Sequence, residues 1–268
     1  MDASLSRGAM ASRRACISVT AQRCAAFGSA AHAKRQAAIL AGGGAPTPWY
    51  LAGGAPTPIA VYQPKAAASL AASYVNLANP GTHDLTVLRT APTFNASLGW
   101  SMFYTSATDY SVLDTGIAPS SQNWTYIVRA RVTSRVAAGA AYFFGCRVLS
   151  PTSIVLLRVN NVSDVISGGN CSGYTNTTGT LALNTWGTLC LAGDKIFLNG
   201  SDLGVTLTNT GVVPTPTIVL NAINVAATDL GGIPQNALTA IDYVGFVMYD
   251  SVLSSGQVAA VAAAMAAL

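Results

Sequence analysis

Lys195-Ile196-Phe197-Leu198 runs straight into Asn199-Gly200, and that pair constrains the fold more than any other feature of the chain. Asn and Gly both tolerate positive φ, which the two central residues of a type I′ turn require, so the pair predicts a tight β-hairpin. Similar runs surround it. Trp124–Val132 alternates aromatic, aliphatic and polar side chains with the period of two that marks a half-buried strand. Ala141–Val148, Ser153–Val159, Trp186–Ala192, Ile218–Val225 and Ile241–Tyr249 read as strands of the same kind. With 25 Gly and 12 Pro to make the turns, and almost no helical pattern after residue 59, the chain predicts an all-β, two-sheet antiparallel sandwich.

Both ends depart from this texture. Leu253-Ser254-Ser255-Gly256-Gln257-Val258 has the form of a capping box, with Ser254 as N-cap, Gln257 at N3, and Leu253 and Val258 at the staple positions. Val258, Val261, Met265 and Leu268 then recur at helical spacing, so a short C-terminal helix with a narrow apolar seam is expected to pack on its own domain. At the other end, residues 12–41 read as helix, with Ser12 and Ser29 as caps and Gly28 and Gly42 as stops. Their apolar stripe is too thin to hold a helix in water without a partner.

Charge is concentrated in that first segment. Arg7, Arg13, Arg14, Arg23, Lys34 and Arg35 face only Asp2 within the first forty residues, while residues 41–268 are slightly acidic. A tandem repeat follows, Ala41–Pro48 and then Ala52–Pro58, in which Gly gives freedom and Thr-Pro forces extended backbone. The sequence therefore divides into a basic, partly helical arm (1–45), a Gly/Pro-rich linker (46–58) and the sandwich (59–268). Arg13, Arg14, Arg23, Lys34, Arg35, Trp49 and Tyr50 are the residues expected to anchor or assemble it. Trp49 and Tyr50 need a surface to dock on, either their own domain or another subunit.

Further residues carry a family resemblance. Tyr62-Gln63-Pro64-Lys65, Ala68–Tyr74 and Asn76-Leu77-Ala78-Asn79-Pro80-Gly81 resemble the opening of laminin-G-like, concanavalin A-like jelly-roll domains of the type found in phage and environmental bacterial structural proteins. Ala91–Phe94 with Gly99-Trp100, Leu113–Ile117, the Ile196–Gly200 hairpin, and Val247–Tyr249 leading to Leu253-Ser254 and Gln257-Val258 agree with it. The resemblance covers about residues 59–268. It implies two curved antiparallel sheets and a role that varies between sugar binding, adhesion and architecture.

The chemistry on offer is sparse. All ten acidic residues are Asp, and there are only two histidines, His32 and His83. Glycoside hydrolysis needs two carboxylates flanking the scissile bond, and no strand presents two Asp on one face, so no catalytic residues are expected. Asp109 and Asp114 are weak Ca²⁺ candidates, set against the simpler reading of turn-starting aspartates bonded to local amides. No other cofactor is expected. For sugar binding the candidates are Tyr174, Asn176, Tyr110 and Asp109, the first two in a polar stretch, Ser167–Asn176, that reads as a loop. Trp100, Trp124 and Trp186 are expected in the core. Five cysteines at irregular spacing (Cys16, Cys24, Cys146, Cys171, Cys190) make no disulfide framework.

No run is apolar for long enough to span a bilayer as a helix, and Arg23 interrupts any secretory h-region. The arm's charge is modest and lacks interleaved aromatics, so nucleic acid is a less suitable partner for it than an acidic protein surface. The expectation is a virion structural protein, a tail or head fibre, spike or capsid decoration, whose arm joins other virion proteins. A homo-oligomer, a trimer for a fibre, goes with that reading. The alternative is a carbohydrate-binding adhesin or receptor-binding module at an extracellular or cell surface, with a host glycan as partner.

Overall fold

The computed structural model describes residues 47–106, 109–135, 139–146, 154–172, 175–208, 216–221 and 239–268. The basic arm, the helix expected over 12–41 and Tyr174 lie outside them. The chain divides into the units Met1–Pro48 and Trp49–Leu268, and the architecture below belongs to the second.

In chain order the strands are β1 (Ala60–Tyr62), β2 (Thr86–Val87), β3 (Thr93–Asn95), β4 (Gly99–Phe103), β5 (Leu113–Asp114), β6 (Thr125–Ser134), β7 (Ala140–Cys146) and β8 (Ile154–Asn160). They continue with β9 (Val165–Ser172), β10 (Thr175–Thr180), β11 (Gly187–Ala192), β12 (Lys195–Leu198), β13 (Ser201–Asp202), β14 (Ile218–Leu220) and β15 (Ala240–Tyr249). Two helices complete the set, α1 (Leu70–Ser73) and α2 (Ser255–Ala266). One sheet runs β13-β12-β11-β6-β15-β4-β3, with β1 also on β15. The other runs β10-β9-β8-β7-β14-β5-β2, and every named pair is antiparallel. The expected two-sheet sandwich is what the chain forms.

β15 organises the first sheet. β6 pairs with it from Ala240 to Tyr249, while on its other side β4 takes Ala240–Tyr243 and β1 takes Phe246–Met248. Side chains alternate across each strand. Thus Tyr126, Val128, Ala130 and Val132 of β6, with Ile241, Tyr243, Phe246 and Met248 of β15, enter the inter-sheet core. There they meet Phe143, Phe144, Val155, Leu157, Ile166 and Ile218 of the second sheet. The Asn-Gly hairpin is as expected: Asn199 has φ +52° and Gly200 φ +85°, both positive as a type I′ turn demands.

The outer face of the first sheet is divided. Val61, Ile127, Cys190, Phe197, Val247 and Tyr249 form an apolar patch covered by Val258, Val261 and Met265 of α2. Each such side chain removed from water contributes about 1.5–3 kcal/mol. Farther along the same strands the outward residues turn polar, to Arg129 and Arg131 on β6, Thr188 on β11 and Asp242 on β15. The predicted cap of α2 is present in full, with the Ser254 hydroxyl accepting from the Gln257 amide and the Gln257 side chain accepting from the Ser254 amide.

Residues 49–58, expected within a linker, join this outer layer. A 3-10 turn over Trp49–Gly54, kinked at Ala52 and Gly53, lays Trp49 into the apolar cluster of α2. The Trp49 indole N–H donates to Gln63 Oε1 (2.8 Å), the Tyr249 hydroxyl to the Tyr50 carbonyl (2.7 Å) and the Gln257 amide to the Gly54 carbonyl (3.0 Å). Trp49 and Tyr50 thus dock on their own domain, one of the two alternatives open to them.

Two expectations are corrected. The described residues of the polar stretch Ser167–Asn176 are not loop: Val165–Ser172 and Thr175–Thr180 are strands. β8, rich in large aliphatics, pairs with β9 along its length, and this tertiary partner overrides the low strand propensity of Ser-Gly-Gly-Asn. Trp186 is not in the core. It is half-buried on the polar half of the first sheet's outer face, under two arginines, whereas Trp100 and Trp124 are buried as expected.

Candidate binding site

A cleft of about 290 Å³ opens at the end of the sandwich where β6 begins and β11 and β15 finish. Its walls are Gln122 and Asn123 ahead of β6, Gly193 and Asp194 in the β11–β12 turn, Asn170 on β9, Leu207, and Val252 just after β15. That volume falls just under the about 300 Å³ at which ligand clefts begin.

Asn170 fixes the walls. Buried at 3% exposure, its amide donates to the Gln122 carbonyl (2.9 Å) and the Gly193 carbonyl (2.6 Å), tying a strand of the second sheet to two loops of the first. The Gly193 amide donates to the Trp124 carbonyl (3.0 Å), and the Asp194 carbonyl accepts from Leu207 (2.7 Å). The backbone is thereby committed, while three side chains remain available. Among the described residues the Asp194 carboxylate and the Gln122 and Asn123 side-chain amides make no hydrogen bond, and Asp194 and Asn123 are exposed. A carboxylate and two amides provide acceptors and donors for adjacent hydroxyls. Val252, 48% exposed, supplies an apolar wall for a C–H face.

The sugar candidates chosen from sequence do not converge. Asn176 is exposed on β10, at one edge of the second sheet; Asp109 and Tyr110 lie beside β5 and β2, near the other. Five strand spacings separate β10 from β5, roughly 24 Å at 4.7–4.9 Å each. Tyr110 is buried at 2%, its ring 5.5 Å from that of Tyr104 and its hydroxyl accepting from Arg89 Nε (3.2 Å). The Asp109 carboxylate accepts from Thr105 Oγ1 (2.7 Å) and Thr90 Oγ1 (3.2 Å). Asp114 is buried on β5 and accepts from the Gly116 amide (2.9 Å). These aspartates fasten local backbone and hydroxyls. No group of three metal-ligating side chains gathers among the described residues. No described helix is long and apolar enough to cross a membrane.

Sequence reasoning missed Gln122, Asn123, Asn170 and Asp194 as a group. The available signal was Gly193-Asp194 between the runs Trp186–Ala192 and Lys195–Leu198, a two-residue hairpin turn that Ala192↔Lys195 pairing now shows.

No family model matches the sequence, and no curated protein matches it either. Solved structures do share the fold. One is of botulinum neurotoxin type C, whose passage into cells depends on interaction with two ganglioside molecules (10% identity, TM-score 0.54, 78% of this chain and 51% of that one). Another is the binding domain of botulinum neurotoxin serotype D (12% identity, TM-score 0.52, 77% and 50%). A third is Trypanosoma rangeli sialidase in complex with sialic acid (10% identity, TM-score 0.53, 77% and 32%). The chain spans about half the length of the neurotoxin structures and a third of the sialidase. At such identities the likeness defines a class by fold alone: a jelly-roll β-sandwich of the concanavalin A-like kind.

Proposed function

We propose that the chain is a non-catalytic, glycan-binding β-sandwich module carried on a basic arm. The observation that carries this reading is the cleft of Gln122, Asn123 and Asp194, where uncommitted hydrogen-bonding side chains surround a small space beside an apolar wall. Among structures of the same fold, neurotoxin type C depends on two ganglioside molecules for cell entry and the sialidase is in complex with sialic acid. Most of the other described aspartates are tied up in local contacts, which favours a binding role over turnover. Asp84, Asp109, Asp114, Asp202 and Asp242 are each engaged by amides, hydroxyls or a cation.

The test is a broad glycan panel applied to the full chain and to Asp194→Ala, with and without Ca²⁺. Saturable binding that the variant loses supports the reading, and a flat panel sinks it. The charge of the arm favours a second reading, an assembly protein of a virion or cell surface that projects the sandwich outward. Light-scattering mass of the full chain beside a shortened chain starting at Thr47 separates the two. A defined oligomer that becomes monomeric without the arm supports assembly, and two monomers contradict it.

A further inference from the structure

The polar half of the first sheet's outer face holds a second arrangement, independent of the cleft. Trp186, immediately before β11, lies against two guanidiniums of β6, with Arg131 Cζ 4.7 Å and Arg129 Cζ 5.9 Å from its ring centroid. The arginines are two residues apart on one strand and so share a face. A single carboxylate serves the pair: Asp242 Oδ2 accepts from Arg131 Nε (2.9 Å) and Nη2 (2.8 Å). Arg129 donates from Nη1 to Thr188 Oγ1 (3.1 Å). Among the described residues it makes no ion pair, and its Nε–Nη2 edge has no acceptor.

This is an unusual place to leave a cation. Arg129 is half-buried, and burial lowers its proton affinity. A charge taken partly from water is stabilised by a counter-ion that supplies hydrogen bonds. The Nε–Nη2 edge is the fork that a carboxylate meets with two parallel bonds. Beside it the half-buried indole offers aromatic surface. The hydroxyl in Arg129's own register row is that of Thr188, which pairs with it from β11.

We infer that Arg129 and Trp186 form a binding site for a carboxylate-bearing sugar. The carboxylate takes the free edge of Arg129, and a C–H face of the ring rests on Trp186. Asp242 holds Arg131 against the indole and so positions the tryptophan.

Calorimetric titration of the full chain with 3′-sialyllactose, lactose and sodium sulfate tests the site. Sialyllactose is expected to bind at least about tenfold more tightly than lactose or sulfate, since a charge-assisted hydrogen bond contributes about 1.5–3 kcal/mol. Arg129→Gln and Trp186→Ala should each weaken it by about tenfold or more, the size expected for losing one such contact. Arg129→Lys keeps the charge but not the fork, and should weaken it as well; it also serves if Arg129→Gln melts early. A glycan whose binding Asp194→Ala abolishes but both Arg129 variants keep reports the cleft alone, so this site and the cleft fail separately. No binding of sialyllactose, equal binding of lactose, equal binding of sulfate, or full affinity in both folded Arg129 variants would each overturn the assignment.

Discussion

Gly53 and Ala260 touch backbone to methyl: a Cβ built on the glycine would lie 2.6 Å from the Ala260 Cβ. The contact locks the Trp49–Gly54 turn to α2. The helix is approached on another side by the Asn-Gly hairpin, where a Cβ at Gly200 would come within 2.8 Å of Ala259 Cα. An alanine-rich helix is what two such close approaches require, and the small residues of α2 are therefore interface residues.

Gly53→Ala should destabilise the domain by about 1–3 kcal/mol, combining overpacking with a left-handed φ of +65°. Ala260→Gly in the same chain relieves the collision but not the φ strain, so the double variant should recover only part of the loss. Urea denaturation of the four proteins measures the coupling, and strict additivity would contradict the contact.

Trp49→Ala should cost about 3 kcal/mol, because it empties a largely buried indole site and orphans the Gln63 acceptor. Thermal melting of the full chain measures it. An unchanged midpoint would mean that the 49–54 segment is not part of the folded layer.

Asn76 is a fully buried amide using all its hydrogen-bonding capacity. Its Oδ1 accepts from the Val61 (2.9 Å) and Ala78 (3.0 Å) amides, and its Nδ2 donates to the Ile59 (3.0 Å) and Thr82 (2.9 Å) carbonyls. Asn76→Ala leaves these backbone groups without partners and should cost about 2–4 kcal/mol. Asn76→Asp, which replaces two donors with acceptors, should fare no better. Either variant melting with the parent would refute the bracket.

Alkali should unfold the domain from within. Burial raises the phenols of Tyr62, Tyr243 and Tyr249 well above their ordinary value, and for Tyr62 the charges of Asp84 and Asp114 add to it. Their contribution is intact below the unfolded tyrosine value of about 10. Above it the unfolded chain loses protons that the folded chain retains, so stability falls by about 1.4 kcal/mol per pH unit for each tyrosine. Urea unfolding between pH 8 and 11 measures the slope, and Tyr62→Phe should make it shallower. A slope unchanged by that variant would contradict the assignment for Tyr62.

The fold was legible where local chemistry and tertiary packing agree. Asn199-Gly200, the Ser254–Gln257 box and the alternation of Trp124–Val132 all appear as their residues imply. Legibility failed where a neighbour decided the outcome. Ser167–Ser172 has the composition of a loop but is held in a strand by β8. Trp186 resembles a core tryptophan in sequence, yet its cross-strand surroundings are Arg129 and Arg131. The cleft was invisible for a related reason: Gln122, Asn170 and Asp194 come from separate segments that only the two-sheet closure brings together. On β6, Ile127 followed by Arg129 marks where the cover of α2 ends, a boundary readable only once the helix is known to lie there.

The outer layer also sets a load path. Residue 49 enters the fold against α2, and Leu268 packs in the same cluster. Tension drawn through the chain ahead of Trp49 is borne first by the indole, the Tyr249–Tyr50 bond and the Gln257–Gly54 bond, and only then by β1.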